Sequence, residues 1–153
     1  MAEDTGTSEI ADRLALRALG EQYAWAVDRR DPDALLAVFH PDGALVLLDH
    51  ADPTIVTATR RGHEELADIT KIIARYDKTF HFVGTTRYEI DGDRATGEVY
   101  CLAHHLTSNR HGGTDYVMLI RYQDTYSRRE GTWGFDERRL ITDWTETHTA
   151  NRL

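Results

Sequence analysis

The hydrophobic period of this chain changes once, near Lys78. Before it, apolar residues recur at spacings of three and four, as on one face of a helix; after it they alternate, as on a half-buried strand. Neither set can bury its apolar face alone. Helical stripes followed by four long alternating stretches therefore predict an α+β fold, with helices packed on one face of a mostly antiparallel sheet.

In order, Ser8 is the expected N-cap of a first helix whose apolar stripe is Leu16, Leu19, Tyr23, Ala26 and Val27. Asp28 falls off that stripe, nearer Glu21, Ala24 and Trp25. Asp31-Pro32 reads as N-cap and first position of a second helix running to about His40, where Pro41 and Asp42-Gly43 end it. Residues 44–48 and 55–59 read as a short hairpin, and Gly62 precedes a third helix faced by Leu66, Ile69, Ile72, Ile73 and Tyr76. Strands are expected over 79–90, 94–107, 115–127 and 132–144. Asp91-Gly92 marks a tight turn, residues 108–113 a polar loop and residues 128–131 a second turn. Residues 8–148 form one expected domain between tails at 1–7 and 149–153.

Composition narrows the function class. The 153 residues carry 18 basic and 26 acidic side chains, a formal charge of −8, with the arginine doublets spread between acids. Nucleic acid is not the expected partner of such a chain. A single cysteine, Cys101, excludes an intrachain disulfide and fits a cytoplasmic setting. The polar, acidic start is no signal peptide, and no apolar run approaches a membrane span, so no membrane partner is expected.

Chemistry is concentrated in the strand-like half. On 94–107 one face is Ala95, Gly97, Val99, Cys101, Ala103 and His105, small side chains ending in a histidine. Such a face either admits a closely packed helix or leaves a cavity open. His81 shares a face with Val83 and Thr85, while Phe80 and Phe82 take the other. Adjacent His104 and His105 point to opposite faces and cannot chelate one ion together; a site of His81, His105 and Asp28 is conceivable, but no metal is expected. Phosphate loops and nucleophile elbows are absent.

Three stretches carry a resemblance: Tyr-Ala-Trp-Ala-Val-Asp-Arg-Arg-Asp at 23–31, His-Phe-Val-Gly-Thr-Thr-Arg-Tyr-Glu at 81–89 and Gly-Thr-Trp-Gly-Phe-Asp-Glu-Arg-Arg at 131–139. In these the chain resembles the SnoaL-like, nuclear-transport-factor-2-like (NTF2-like) superfamily, on the branch of scytalone dehydratase and hexachlorocyclohexane dehydrochlorinase. The resemblance implies a cone of three N-terminal helices packed on a curved sheet. It also implies that Asp28 and His81 are a carboxylate–histidine pair with His81 as general base. His105 matches a second active-site histidine, and Arg138, or Arg139 beside it, a pocket arginine. Val27 stands where the dehydratase has a tyrosine, and Tyr23 and Gln22 stand near the dehydrochlorinase's lysine, so neither specific reaction carries over.

The pair has sound physics of its own. A carboxylate beside an imidazole N–H sets the tautomer and stabilises the imidazolium, and opposing effects of charge and burial leave a base poised near neutrality. The expected activity is a cofactor-independent lyase or isomerase acting on a small, mostly apolar polyketide-, steroid- or terpenoid-like molecule. His105, Tyr23 or Tyr116 would serve as acid or oxyanion donor. Tyr23, Trp25, Val83, Cys101, Ala103, Tyr116 and Met118 are expected around the substrate. The alternatives are a non-catalytic binding or dimerisation domain of the same fold, and an epoxide hydrolase, which needs a buried Asp–Arg–Asp set the sequence does not display. A homodimer through the open sheet face is implied by the resemblance, with Tyr122, Tyr126 and Trp144 as candidate contacts.

Overall fold

The computed structural model describes residues 3–151; Met1, Ala2, Arg152 and Leu153, parts of the two expected tails, lie outside them. Helix α1 spans Glu3–Arg29, so helical backbone continues ahead of the expected Ser8 cap. It ends in a left-handed turn. Arg30 has φ 53°, its N–H donates to Val27 O (3.2 Å), and the N–H of Asp31 donates to Ala26 O (3.0 Å). That conformation is unfavourable for a side chain with a Cβ, and here the arginine is tied down. Its guanidinium donates to the carbonyls of Asp28 (2.6 Å) and Tyr76 (3.1 Å).

Helix α2 (Pro32–Leu36) follows at once, with Asp31 Oδ1 accepting from Ala34 N (3.0 Å) and proline at the first position, as the sequence predicts. It is shorter than expected. Phe39 and His40 already belong to strand β1 (Phe39–Leu48), because Phe39 pairs with Phe135 across the sheet. Strand β2 (Val56–Arg61) pairs back on β1, and α3 (Gly62–Ile73) crosses over β1. Of the three expected helices, then, one is long, one has 5 residues, and the third follows the first hairpin, in the order the sequence predicts. No helix among the described residues is long and apolar enough to cross a membrane.

Strands β3 (Lys78–Asp91), β4 (Arg94–Asn109), β5 (Gly112–Arg129) and β6 (Thr132–Ala150) form the meander. They outrun the expected strands, and β4 and β5 meet across Arg110-His111 rather than a six-residue loop. The curved six-stranded sheet has the order β2-β1-β6-β5-β4-β3, antiparallel except where β1 runs parallel to β6. The β5–β6 turn places Glu130 (φ 51°) and Gly131 (φ 81°) in left-handed conformations, which suits the sheet's twist.

The helices cover one face of the sheet, α1 against β3 and β6, α3 against β1. Beneath them lies the core, including Leu16, Val27, Leu35, Leu66, Val99 and Phe135. The expected inner face of β4 is inner, from Ala95 to His105. Gly97 is required there: a Cβ would stand 2.8 Å from the Tyr88 ring and 3.1 Å from that of Tyr126. On β3 the alternation is broken. Val83 pairs with Cys101 and Thr86 with Val99, so Gly84 and Thr85 form a bulge. Thr85 is thereby exposed, contrary to the alternation, and Tyr88 is turned into the core.

The outer face carries Phe80 (60% exposed), Phe82 (60%), Trp144 (52%) and Tyr100 (44%). Tyr122 and Tyr126, expected on this face, are instead buried against the helices, because the strand positions they occupy alternate inward.

Candidate active site

The site is built where the C-terminal end of α1 meets the first residues of β3. Three groups converge on the carboxylate of Asp28. Thr79 Oγ1 donates to Oδ1 (2.8 Å), the backbone N–H of His81 donates to Oδ2 (2.8 Å), and His81 Nδ1 lies 2.7 Å from Oδ1. A carboxylate held by two other donors accepts, so Nδ1 carries the proton and His81 keeps Nε2 as a lone pair. Burial pushes the Asp28 carboxyl up, but the His81 ring, the His81 N–H and Thr79 together pull it below its ordinary 3.8. Thr79, which the sequence reading did not single out, is buried and also receives an N–H of Arg30 at 3.4 Å. Its signal was available: it lies two residues before His81 and so on the same face.

His81 opens into a cavity of about 330 Å³ between the sheet and α3. Buried Tyr23, Leu45 and Tyr122 form its floor; Met118, His105 and Tyr116 line one wall, and Ile69, Ile72 and Ile73 of α3 the other. The α3 wall was unforeseen as a site, because a helical apolar stripe reads as core. The volume suits a small molecule, and the lining is mostly apolar with a few polar groups.

His105 lies edge-on to His81, ring centroids 5.5 Å apart, and is packed against Tyr76 at 4.8 Å. Its Nδ1 is 3.1 Å from the carbonyl oxygen of Tyr116, which can only accept, so the proton is on Nδ1 and Nε2 is an acceptor. Burial lowers the ring's pKa below 6.5, and nearby His81 lowers it further. A neutral ring with this tautomer presents no N–H at Nε2. The expected role of His105 as acid or oxyanion donor does not match that geometry.

The donors at hand are phenols. Burial pushes the Tyr23 hydroxyl up to about 12 despite the opposing charge of Arg138, and Tyr122 is also raised by burial, so both keep their protons at neutral pH. Arg138 itself is fully buried and forms a two-point pair with Asp124, Nε to Oδ1 (3.0 Å) and Nη2 to Oδ2 (2.9 Å). It stacks on the rings of Tyr122 (3.9 Å), Phe135 (4.5 Å) and Tyr23 (4.6 Å). It thus lies behind the cavity floor rather than on it. Among the described residues no second carboxylate completes an Asp–Arg–Asp set, and the Nη1 of Arg138 has no partner. Arg139 points to the other face, 3.3 Å from Glu137.

Of the residues expected around a substrate, Tyr23, Tyr116 and Met118 line the cavity. Val83, Cys101 and Ala103 pack into the core instead, and burial pushes the Cys101 thiol up to about 12, which makes it inert. Trp25 is 49% exposed on the solvent side of α1, since helical rotation turns it away from the sheet. Asp28, His81 and His105 do not converge on one point, and among the described residues no group of three or more His, Cys, Asp or Glu side chains could hold a metal ion.

Solved structures share this architecture. The dehydrochlorinase LinA superimposes with a TM-score of 0.82 at 19% identity, over 97% of both chains. A provisionally named scytalone dehydratase from Novosphingobium aromaticivorans gives 0.77 at 20% identity, also over 97% of both. In sequence, the uncharacterized protein Rv2910c of Mycobacterium tuberculosis is 26% identical over 133 residues, 82% of each chain. At these identities the structural likeness is one of fold, the NTF2-like α+β cone. Residues 8–139 match the model of the SnoaL-like domain, and by that match the chain belongs to the SnoaL-like family.

Proposed function

We propose that this protein is a cofactor-independent lyase or isomerase that removes a proton from carbon in a small, largely apolar molecule. The observation that carries the reading is the Asp28–His81 contact of 2.7 Å at the wall of a mostly apolar cavity. His81 Nε2 is the base. Asp28 sets its tautomer and stabilises the imidazolium that forms. Tyr23, with Tyr122 beside it, donates a hydrogen bond to the oxyanion of an enolate or a proton to a departing hydroxyl. General-base help of this kind is worth about a hundred- to ten-thousand-fold in rate. The fold shared with a dehydrochlorinase and a provisionally named scytalone dehydratase is compatible with elimination chemistry.

The rival reading, a non-catalytic small-molecule-binding or dimerisation domain of the same fold, would gain from an Asp28–His81 pair held far apart or from an interior filled by Trp25, Tyr100 and Phe135. Instead Trp25 and Tyr100 are exposed and Phe135 lies in the core beneath the floor. The test is to incubate wild type and His81→Ala with a panel of small ketones and β-hydroxyketones in D2O and follow C–H exchange and elimination by NMR. Exchange or elimination with wild type that falls at least about a hundred-fold in His81→Ala is expected. Undiminished turnover by purified His81→Ala overturns the proposal.

We also propose that the outer sheet face meets a second copy of the chain. Phe82 on β3 and Trp144 on β6 share one register row through Leu102 and Leu119, with Phe80 next along β3, and an exposed aromatic patch of that kind is what a self-association surface requires. Sedimentation velocity should show an oligomer that Phe82→Glu weakens; a monomeric wild type excludes it.

A further inference from the structure

The cavity has a polarity that an apolar substrate alone does not explain. Its lining includes two arginines, Arg60 and Arg75, and, among the described residues, no aspartate or glutamate. In a chain of charge −8 this is unusual. Of the other described arginines, Arg61, Arg121, Arg128, Arg129 and Arg138 are among those that hold carboxylates within 4.0 Å, while Arg29, Arg30, Arg87, Arg94 and Arg110 hold none and do not line this cavity. Arg60 and Arg75 hold none among the described residues. Arg60 donates only to the carbonyl of Thr59 at 3.4 Å, and Asp68, the acid that feels its charge, is engaged by Lys71 at 2.7 Å.

Arg75 is held ready on one side. Its Nη2 donates to the hydroxyl of Tyr76 (2.9 Å), and its Cζ lies 4.8 Å from the Tyr76 ring centroid. Tyr76 in turn packs on His105, which packs on His81. A guanidinium with one nitrogen fixed and the rest free presents a planar fork suited to a carboxylate. The exposed lining residues Thr57, Ile72 and Arg75 mark the mouth; buried Tyr23 and Tyr122 mark the floor.

Resting on the reading of this cavity as the substrate site, we propose that the substrate carries a carboxylate, bound by Arg75 and Arg60 at the mouth while its carbon skeleton faces His81. The charges orient it. The Asp28 carboxylate behind His81 repels an anion, and the two arginines attract it. A neutral molecule would have no such preference.

The experiment uses 2-naphthoate and its uncharged isostere 2-naphthamide, with affinities measured by calorimetry at low ionic strength. Wild type is expected to bind the carboxylate about ten-fold or more tightly than the amide, a preference of about 1.4 kcal/mol. In Arg75→Gln the preference should fall to about two-fold or less, in Arg60→Gln it should fall partway, and added salt should reduce it in wild type. His81→Ala should keep it, so the outcome is independent of whether the dyad is catalytic. Equal affinity for the two probes, a preference surviving the double substitution, or failure of both probes to bind at millimolar concentration overturns the proposal. So does loss of the preference in His81→Ala alone, which would put the carboxylate on the dyad.

Discussion

The backbone N–H and the ring Nδ1 of His81 grip opposite oxygens of Asp28, at 2.8 and 2.7 Å. One residue thus locks the carboxylate's plane with its main chain and takes its own tautomer from it. The arrangement is held in place because β3 pairs with β4 along its other edge, His81 opposite Ala103, which leaves the His81 N–H on the free edge for Asp28.

Asp28→Asn should therefore act on the tautomer before it acts on the fold. An amide can turn its NH2 toward Nδ1, which moves the ring proton to Nε2 and removes the base. Long-range proton–nitrogen spectra should show Nδ1–H in wild type and Nε2–H in the variant. On any substrate that turns over, the rate should fall about a hundred- to ten-thousand-fold.

Thr79→Val keeps the shape and deletes one donor to Asp28. A net loss of about 1 kcal/mol is expected in urea unfolding. The Asp28 carboxyl should also titrate at higher pH, since one of the bonds that hold it down is gone, and carbon-13 titration of that carboxyl checks this.

Stability should depend on pH through two groups with the same sign. His105 has a folded pKa below 6.5, so between that value and 6.5 the unfolded chain binds a proton the native one refuses. Its contribution is full above 6.5 and is lost as pH falls toward the folded value. Asp28 has a folded pKa below 3.8, so its contribution is present above 3.8 and lost as pH falls further. Urea unfolding from neutral pH downward should show the first loss in wild type and not in His105→Gln.

Arg138→Met leaves the buried Asp124 carboxylate with the Tyr126 hydroxyl (2.8 Å) but no cation. Breaking one half of a buried pair costs about 3–5 kcal/mol. The double variant Asp124→Leu/Arg138→Met removes both charges and should recover a large part of that loss. Equal destabilisation of single and double variants would show that the arginine matters for packing on Tyr23, Tyr122 and Phe135 rather than for charge.

Local pattern carried the fold a long way. The inner face of β4 followed from period two alone, and Asp31-Pro32 capped a helix as its chemistry requires. Pattern failed where long-range pairing intervened. Phe39 and His40 extend a helical run in sequence, yet β6 claims them as strand, and the bulge at Gly84-Thr85 turns Tyr88 inward where strict alternation would have placed Arg87. Trp25 was expected at the site and lies only one helical turn before Asp28, yet it stands on the solvent side of α1 and is exposed.

The amino-acid sequence by itself determined the class, the order of elements and the family, because hydrophobic period, capping and motif are local properties. It also named Asp28 and His81, though only through resemblance: rotation along α1 set Asp28 off the apolar stripe. Tertiary structure decided the rest. It closed the distance between two residues far apart in the chain, placed Arg138 behind the cavity floor, turned the Nε2 of His105 into an acceptor, and gathered Arg60 and Arg75 on one apolar cavity. Those outcomes depend on which strand lies beside which and what covers them, and a one-dimensional pattern does not carry that information.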